Sequence, residues 1–131
     1  MATELTVKLP NRAGQLGALA GALGDAGVNM RSIAATTGGG QGTVHVVVDD
    51  KDAAKARRAL RAKKLRITSD RKVVALRLAD RPGTLARAAS RLGKAKVNIE
   101  SAYVLSQSKK STTLALGVKD ARAANKALGR R

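Results

Sequence analysis

Two periods alternate along the chain. Leu5-Thr6-Val7-Lys8-Leu9 switches between apolar and polar with period two, which predicts a strand whose Leu5, Val7 and Leu9 face a core. Pro10 ends it, since proline has no N–H for a ladder. From 14 to 26 the period becomes helical, with Leu16, Leu19, Ala20, Leu23 and Ala26 on one stripe. Asn11 is placed to cap this helix and Gly27 to stop it. Residues 28–37 and 43–48 predict two more strands, the latter with Val44, Val46 and Val48 on one face and His45 on the other. Asp49, Asp50 and Asp52 open a second helix, where the dipole favours acids, and Ala53, Ala56, Ala59 and Leu60 form its thin apolar side. Residues 65–68 predict a fourth strand, giving strand-helix-strand-strand-helix-strand.

The pattern then repeats. Asn11-Arg12-Ala13-Gly14-Gln15-Leu16 returns as Asp80-Arg81-Pro82-Gly83-Thr84-Leu85, and Val28-Asn29-Met30 returns as Val97-Asn98-Ile99, both 69 positions on. Val74, Leu76 and Leu78 repeat the first strand, and Leu85, Ala88, Ala89 and Leu92 repeat the helix stripe. Lys119-Asp120-Ala121 opens a last helix that runs to about Leu128, answering Leu60. The expected organisation is two units, 1–70 and 71–131, joined by Asp70-Arg71 as linker. The second unit lacks a counterpart to the fourth strand, so its strand over 72–78 is expected at an open edge, with Lys72 and Arg77 discouraging indiscriminate pairing. Gly17, Gly21 and Gly24, and Ala86, Ser90 and Gly93 in the repeat, make a stripe of small residues. It fits either close approach by a neighbour or a chain rich in Gly and Ala.

Composition narrows the chemistry. With no Cys, disulfides, thiolate-bound zinc and a thiol nucleophile are excluded. The single His45 has no apparent carboxylate partners for a metal site, and it reads as a sheet-surface residue. The Gly-rich run 38–42 is followed by a strand rather than by Gly-Lys-Ser/Thr and a helix, so it reads as a hairpin loop and not a phosphate cradle. The few acids include Asp49, Asp50, Asp52 and Asp120, which sit where helix starts explain them, and no nucleophile-base pair can be assembled. The reading expects no enzyme activity, no cofactor and no metal. Phe and Trp are absent and Tyr103 is the one aromatic residue, so the core must come from Leu, Val, Ile and Ala. Two small units of this kind are expected to pack together or oligomerise. A net charge of +17 admits nucleic acid as a partner. No segment has the apolar length of a membrane span, so a cytoplasmic protein without a membrane partner is expected.

The strand followed by Asn/Asp-Arg-Ala/Pro-Gly-x-Leu, an apolar helix and Val-Asn-Met/Ile resembles the ACT domain. The resemblance covers nearly the whole chain, as a tandem pair with no catalytic domain attached. It implies an α+β fold of two ferredoxin-like βαββαβ units, antiparallel sheets with helices on one face, the second without its last strand. It also implies a regulatory role, sensing a small ligand, most often an amino acid, at an interface between ACT units. Carried onto this sequence, the ligand loops are Asn11, Ala13, Gly14, Gln15 and Leu16, and Asp80, Pro82, Gly83, Thr84 and Leu85. Asn29 and Met30, and Asn98 and Ile99, would open the following strands and face those loops. The residues give a physical reason: Gly14 and Gly83 permit close backbone approach. Free helix-start N–H groups favour a carboxylate, and an Asn side chain both donates and accepts. The alternatives are a basic nucleic-acid-binding module using the helix after Asp50, and a passive dimerisation module.

Overall fold

The computed structural model describes residues 2–129, and the chain divides into two compact units, Met1–Asp70 and Arg71–Arg131. The first contains β1 (Ala2–Pro10), α1 (Gln15–Asp25), β2 (Ser32–Gly38), β3 (Gln41–Asp49), α2 (Asp50–Ala62) and the opening residues of β4 (Arg66–Ala79). Its sheet runs β2-β3-β1, antiparallel, with Leu5 opposite Val46 and Ile33 opposite Val46 from the other side. The start of β4 lies beside β1, where the Thr68 hydroxyl donates to the Thr6 carbonyl at 3.4 Å. One face of this sheet carries Leu5, Val7, Leu9, Val44, Val46 and Val48, and both helices close over it with Leu19, Leu23, Ala53, Ala56 and Leu60. Leu65 and Ile67 pack against the same core. Each such Leu or Val, fully buried, favours the fold by about 1.5–3 kcal/mol before entropy is counted.

The second unit contains the rest of β4, α3 (Thr84–Lys94), β5 (Ser101–Gln107), β6 (Ser111–Gly117) and α4 (Ala121–Ala127). Its antiparallel order is β4-β6-β5, with Leu76 opposite Leu114 and Ala102 opposite Leu116. The core is smaller: Val74, Leu76, Ala88, Leu92, Leu116, Val118 and Ala124. Asp120 caps α4 by accepting from the Ala123 amide at 3.0 Å, and among the described residues no strand follows that helix. The fold is therefore α+β, ferredoxin-like in both units, with no strand after α4 among the described residues.

Several local expectations need correction. Asp70 and Arg71 are not a linker but lie within the fourteen-residue β4. Asp70 is held there by Arg57, whose Nε and Nη2 donate at 2.6 and 3.1 Å. That hydrogen bond raises the guanidinium pKa above its ordinary value, against a smaller opposing effect of burial. Asn11 does not cap α1; the N-cap is Gly14, and the Asn11 amide donates instead to the Gly40 carbonyl at 3.0 Å. Leu16 and Leu85, each in the first turn of its helix, leave the apolar stripe and are 48% and 49% exposed. Residues 28–31 and 97–100 precede the second strand of each unit rather than opening it. Nothing comes within 4 Å of a Cβ built on Gly17, Gly21 or Gly24, so no close neighbour explains the small stripe. The hairpin reading of 38–42 holds: Gly39 and Gly40, at φ 60° and 79°, form the two-residue turn between Gly38 and its partner Gln41.

Candidate functional site

The two repeated loops have the same backbone construction. Gly14 (φ 89°, ψ −14°) and Gly83 (φ 87°, ψ −11°) are the N-caps of α1 and α3 in the left-handed region, where a Cβ is disfavoured. Before each, a tight turn brings the Arg12 amide to the Pro10 carbonyl and the Arg81 amide to the Ala79 carbonyl, both at 2.9 Å. A second tether joins each loop to the tip of its own hairpin: Asn11 N–H to Gly40, Asp80 N–H to Lys110. Neither Gly carries a side chain that can cap the helix. The amides of Leu16 and Gly17, and of Leu85 and Ala86, consequently have no hydrogen-bond partner among the described residues. Paired free N–H groups at a positive helix end suit a carboxylate.

In the second unit the loop borders a hollow of about 240 Å³, lined by Asp80, Gly83, Thr84 and Leu85 with Thr112 and Leu114 from β6. This lies just below the roughly 300–1,000 Å³ of sites for drug-sized ligands, the scale of a small metabolite. Thr84 is fixed by its hydroxyl, which donates to the Ala79 and Arg81 carbonyls at 2.9 and 3.1 Å. Thr112 and Leu114 carry no loop motif, and the sequence reading missed them; the β4–β6 register, with Leu78 opposite Thr112, places them there. Ala13 and Pro82 are exposed at the loop crests, and Gln15 is half-buried.

The Asn half of the expected site lies elsewhere in each unit. Asn29 and Asn98 follow the far ends of α1 and α3, and an eleven-residue helix is about 16 Å long. Asn98 lines a separate hollow of about 280 Å³ with Lys96, Glu100, Lys119 and Asp120. Asn29 is exposed, while Met30 and Ile99 pack against the two cores. A single unit thus does not bring its own loop and its own Asn together.

His45 is more engaged than a plain surface residue. Its Nδ1 lies 2.9 Å from the Thr6 hydroxyl and 3.7 Å from Oε2 of the fully buried Glu4. Among the described residues no group of three or more His, Cys, Asp or Glu is placed to hold a metal ion. No helix among them is long and apolar enough to cross a membrane.

Residues 3–64 match the ACT domain family. No curated protein matches the sequence. Among solved structures, a protein from Bacteroides thetaiotaomicron superposes with TM-score 0.81 at 21% identity, over 97% of this chain and 85% of that one. The regulatory subunit of aspartate kinase from Thermus thermophilus superposes with TM-score 0.72 at 17% identity, over 98% and 90%. The corresponding subunit from Thermus flavus gives 0.74 at 16%, also over 98% and 90%. At these identities the likeness is one of fold.

Proposed function

We propose that this chain, whose residues 3–64 match the ACT domain family and whose second unit has the same order of elements, is a non-catalytic regulatory protein that binds a small ligand, an amino acid, where ACT units of neighbouring copies meet. The observation that carries this reading is the pair of free helix-start amides behind a left-handed Gly, present in both units. They offer a carboxylate two fixed donors in the position the family resemblance assigns to the ligand loop. The ammonium group needs acceptors, and an Asn side chain supplies one. Because Asn29 and Asn98 sit a helix length from the loop of their own unit, the complete site takes its Asn from another unit. Exposed apolar residues support such a meeting: Leu16 and Ile33 in the first unit, Leu85 and Val104 in the second, each on a helix start or an edge strand. Regulation then follows if the ligand favours one arrangement of paired units over another, since only differential affinity shifts an equilibrium. The regulatory subunits of aspartate kinase share this fold, which agrees with the reading.

A thermal-shift screen of the twenty amino acids, paired with sedimentation velocity, tests it. The expected result is a raised Tm with one or a few of them and a change in sedimentation with the same compounds. A flat response to all twenty at millimolar concentration would sink the proposal.

A second reading rests on α2. Lys51, Arg58, Arg61, Lys63 and Lys64 are exposed there and just beyond it, and none has a carboxylate partner among the described residues. A nucleic acid bound by this face should lose affinity steeply with salt, with a log–log slope of about −0.9 per phosphate contact on duplex DNA.

A further inference from the structure

The two units carry their charge differently. Residues 1–70 hold 11 Lys and Arg against 6 acids, and residues 71–131 hold 15 against 3. Of those three acids, Glu100 pairs with Arg71 and Asp120 caps α4. The excess is ordered on the helices. Arg87, Arg91 and Lys94 recur at i, i+4 and i+7, one line along α3, while Ala88 and Leu92 turn to the core. Arg122 and Lys126 repeat the one-turn spacing on α4, which buries Ala124 against the same core. All five are exposed, and none has a carboxylate partner among the described residues. Arg91 joins the two sets: its Nη2 lies 3.4 Å from a Cβ built on Gly129, just beyond α4. Arg87 and Arg91 also border an open groove of about 550 Å³ beside Leu76 and Leu128, and no carboxylate lines it. The α1 residues 69 positions earlier are Ala18, Ala22 and Asp25, so α1 has no such line of cations.

We propose that the outer face of α3 and α4 holds the phosphate backbone of a nucleic-acid duplex without reading its sequence. Like charges one turn apart repel, and Arg87 and Arg122 stand in first helical turns, where the dipole disfavours a cation. Helix stability therefore does not account for the pattern, whereas a polyanion does. The residues interleaved with the α3 cations are small. Ala86, Ser90 and Gly93 are all exposed, and nothing comes within 4 Å of a Cβ built on Gly93. Such a flush surface lets a backbone come close enough for guanidinium–phosphate forks. It also lacks what other partners need. A membrane surface takes inserted apolar side chains, and a protein partner takes apolar or aromatic anchors. The exposed apolar residue of α3, Leu85, stands seven positions before Leu92 and so on the core line rather than among the cations. Tyr103, the only aromatic residue, lies on β5, so these helices offer no stacking platform for single-stranded bases. The basic run of α2 is a weaker candidate, because Asp49, Asp50 and Asp52 open that helix. The proposal holds whether or not an amino acid binds at the loops.

The test is fluorescence anisotropy of the full chain with a labelled DNA duplex of about 20 base pairs over a salt series. A second duplex of unrelated sequence and a polyglutamate of equal charge are the comparison probes. Three variants, each checked by circular dichroism, remove charge from one place. They are Arg87→Ala/Arg91→Ala/Lys94→Ala on α3, Arg122→Ala/Lys126→Ala on α4, and Arg58→Ala/Arg61→Ala/Lys63→Ala on α2 and just beyond it. The expected result is saturable binding, equal for the two duplexes, with a log–log salt slope of about −4 to −5 when all five cations make phosphate contacts. The α3 variant should bind about tenfold or more weakly, with its slope flattened by about 2 to 3. The α4 variant should flatten it by about 1 to 2, and the α2 variant should stay within about twofold of wild type in affinity. The proposal is overturned by an absence of saturable binding at about 50 mM salt, by a slope that the α3 variant leaves unchanged, or by an about tenfold preference between the duplexes. An α2 variant that loses as much as the α3 variant would also overturn it, as would a polyglutamate that binds as tightly as the duplex.

Discussion

The two units share a loop and differ in what encloses their cores. Gly14 and Gly83 have nearly the same dihedral angles, and each loop is tied to its own hairpin tip by an equivalent hydrogen bond. The cores are not equivalent. The first is supplemented by Leu65 and Ile67 and has Ala18 and Ala22 on its first helix; the second has an open groove with Arg87 and Arg91 at those helix positions. The repeated element is the left-handed Gly loop with its scaffold, while the side chains on the helix behind it differ between the units.

The largest effects should come from the cores. Leu23 and Leu92 are equivalent and both fully buried. Leu23→Ala should cost about 2–5 kcal/mol, and Leu92→Ala should fall toward the lower end, because a core beside an open groove relaxes more easily into the cavity. Urea midpoints of the two variants check this, and a larger loss at Leu92 would contradict the thinner second core. Next come the loops. Gly14→Ala and Gly83→Ala should each cost about 1–2 kcal/mol, since both impose a Cβ on left-handed backbone. Near-equal losses would confirm that the loops are built alike, and a gap wider than either loss would break the parallel.

Helix starts give the third comparison. Asp120 makes a cap bond, whereas Asp49, the N-cap of α2, makes none with its side chain and pairs with the half-exposed Arg31 instead. Asp120→Ala should cost about 1 kcal/mol and Asp49→Ala only a few tenths, read from thermal unfolding. The last comparison is at the helix stops. Gly27 (φ 74°) and Lys96 (φ 62°) close α1 and α3 with the same pair of bonds, from residue 27 to Gly24 and Val28 to Leu23, and from residue 96 to Gly93 and Val97 to Leu92. Lys96→Gly should stabilise by up to about 1 kcal/mol, a small rise in Tm, and Gly27→Lys should do the reverse.

Much of this was legible in the sequence because one face of each sheet is buried and strand period and helix period differ. Val44, Val46 and Val48, the Gly39-Gly40 turn and the Asp120 cap follow from local chemistry. The burial of Glu4 and the contacts of His45 did not, because an alternating pattern marks those positions as polar and says nothing about what lies above them. The continuity of β4 was hidden by its composition: a charged Asp70-Arg71 pair reads as a break, and only the Arg57 fork and the Arg71–Glu100 pair show both residues held within a strand. Of the candidate site, the loop glycines were legible through repetition. The displacement of Asn29 and Asn98 to the far helix ends was equally implied by the eleven residues between, but a motif read as one string conceals that distance.

The central claim is that the repeated loops hold an amino acid. Isothermal titration calorimetry of the wild type and of Gly83→Ala against the twenty amino acids addresses it most directly. The account predicts saturable heat with at least one of them, reduced about tenfold or more in affinity when the left-handed Gly is replaced. Heat that is identical in the variant would place the ligand away from this loop, and no heat with any amino acid at millimolar concentration would contradict the claim outright.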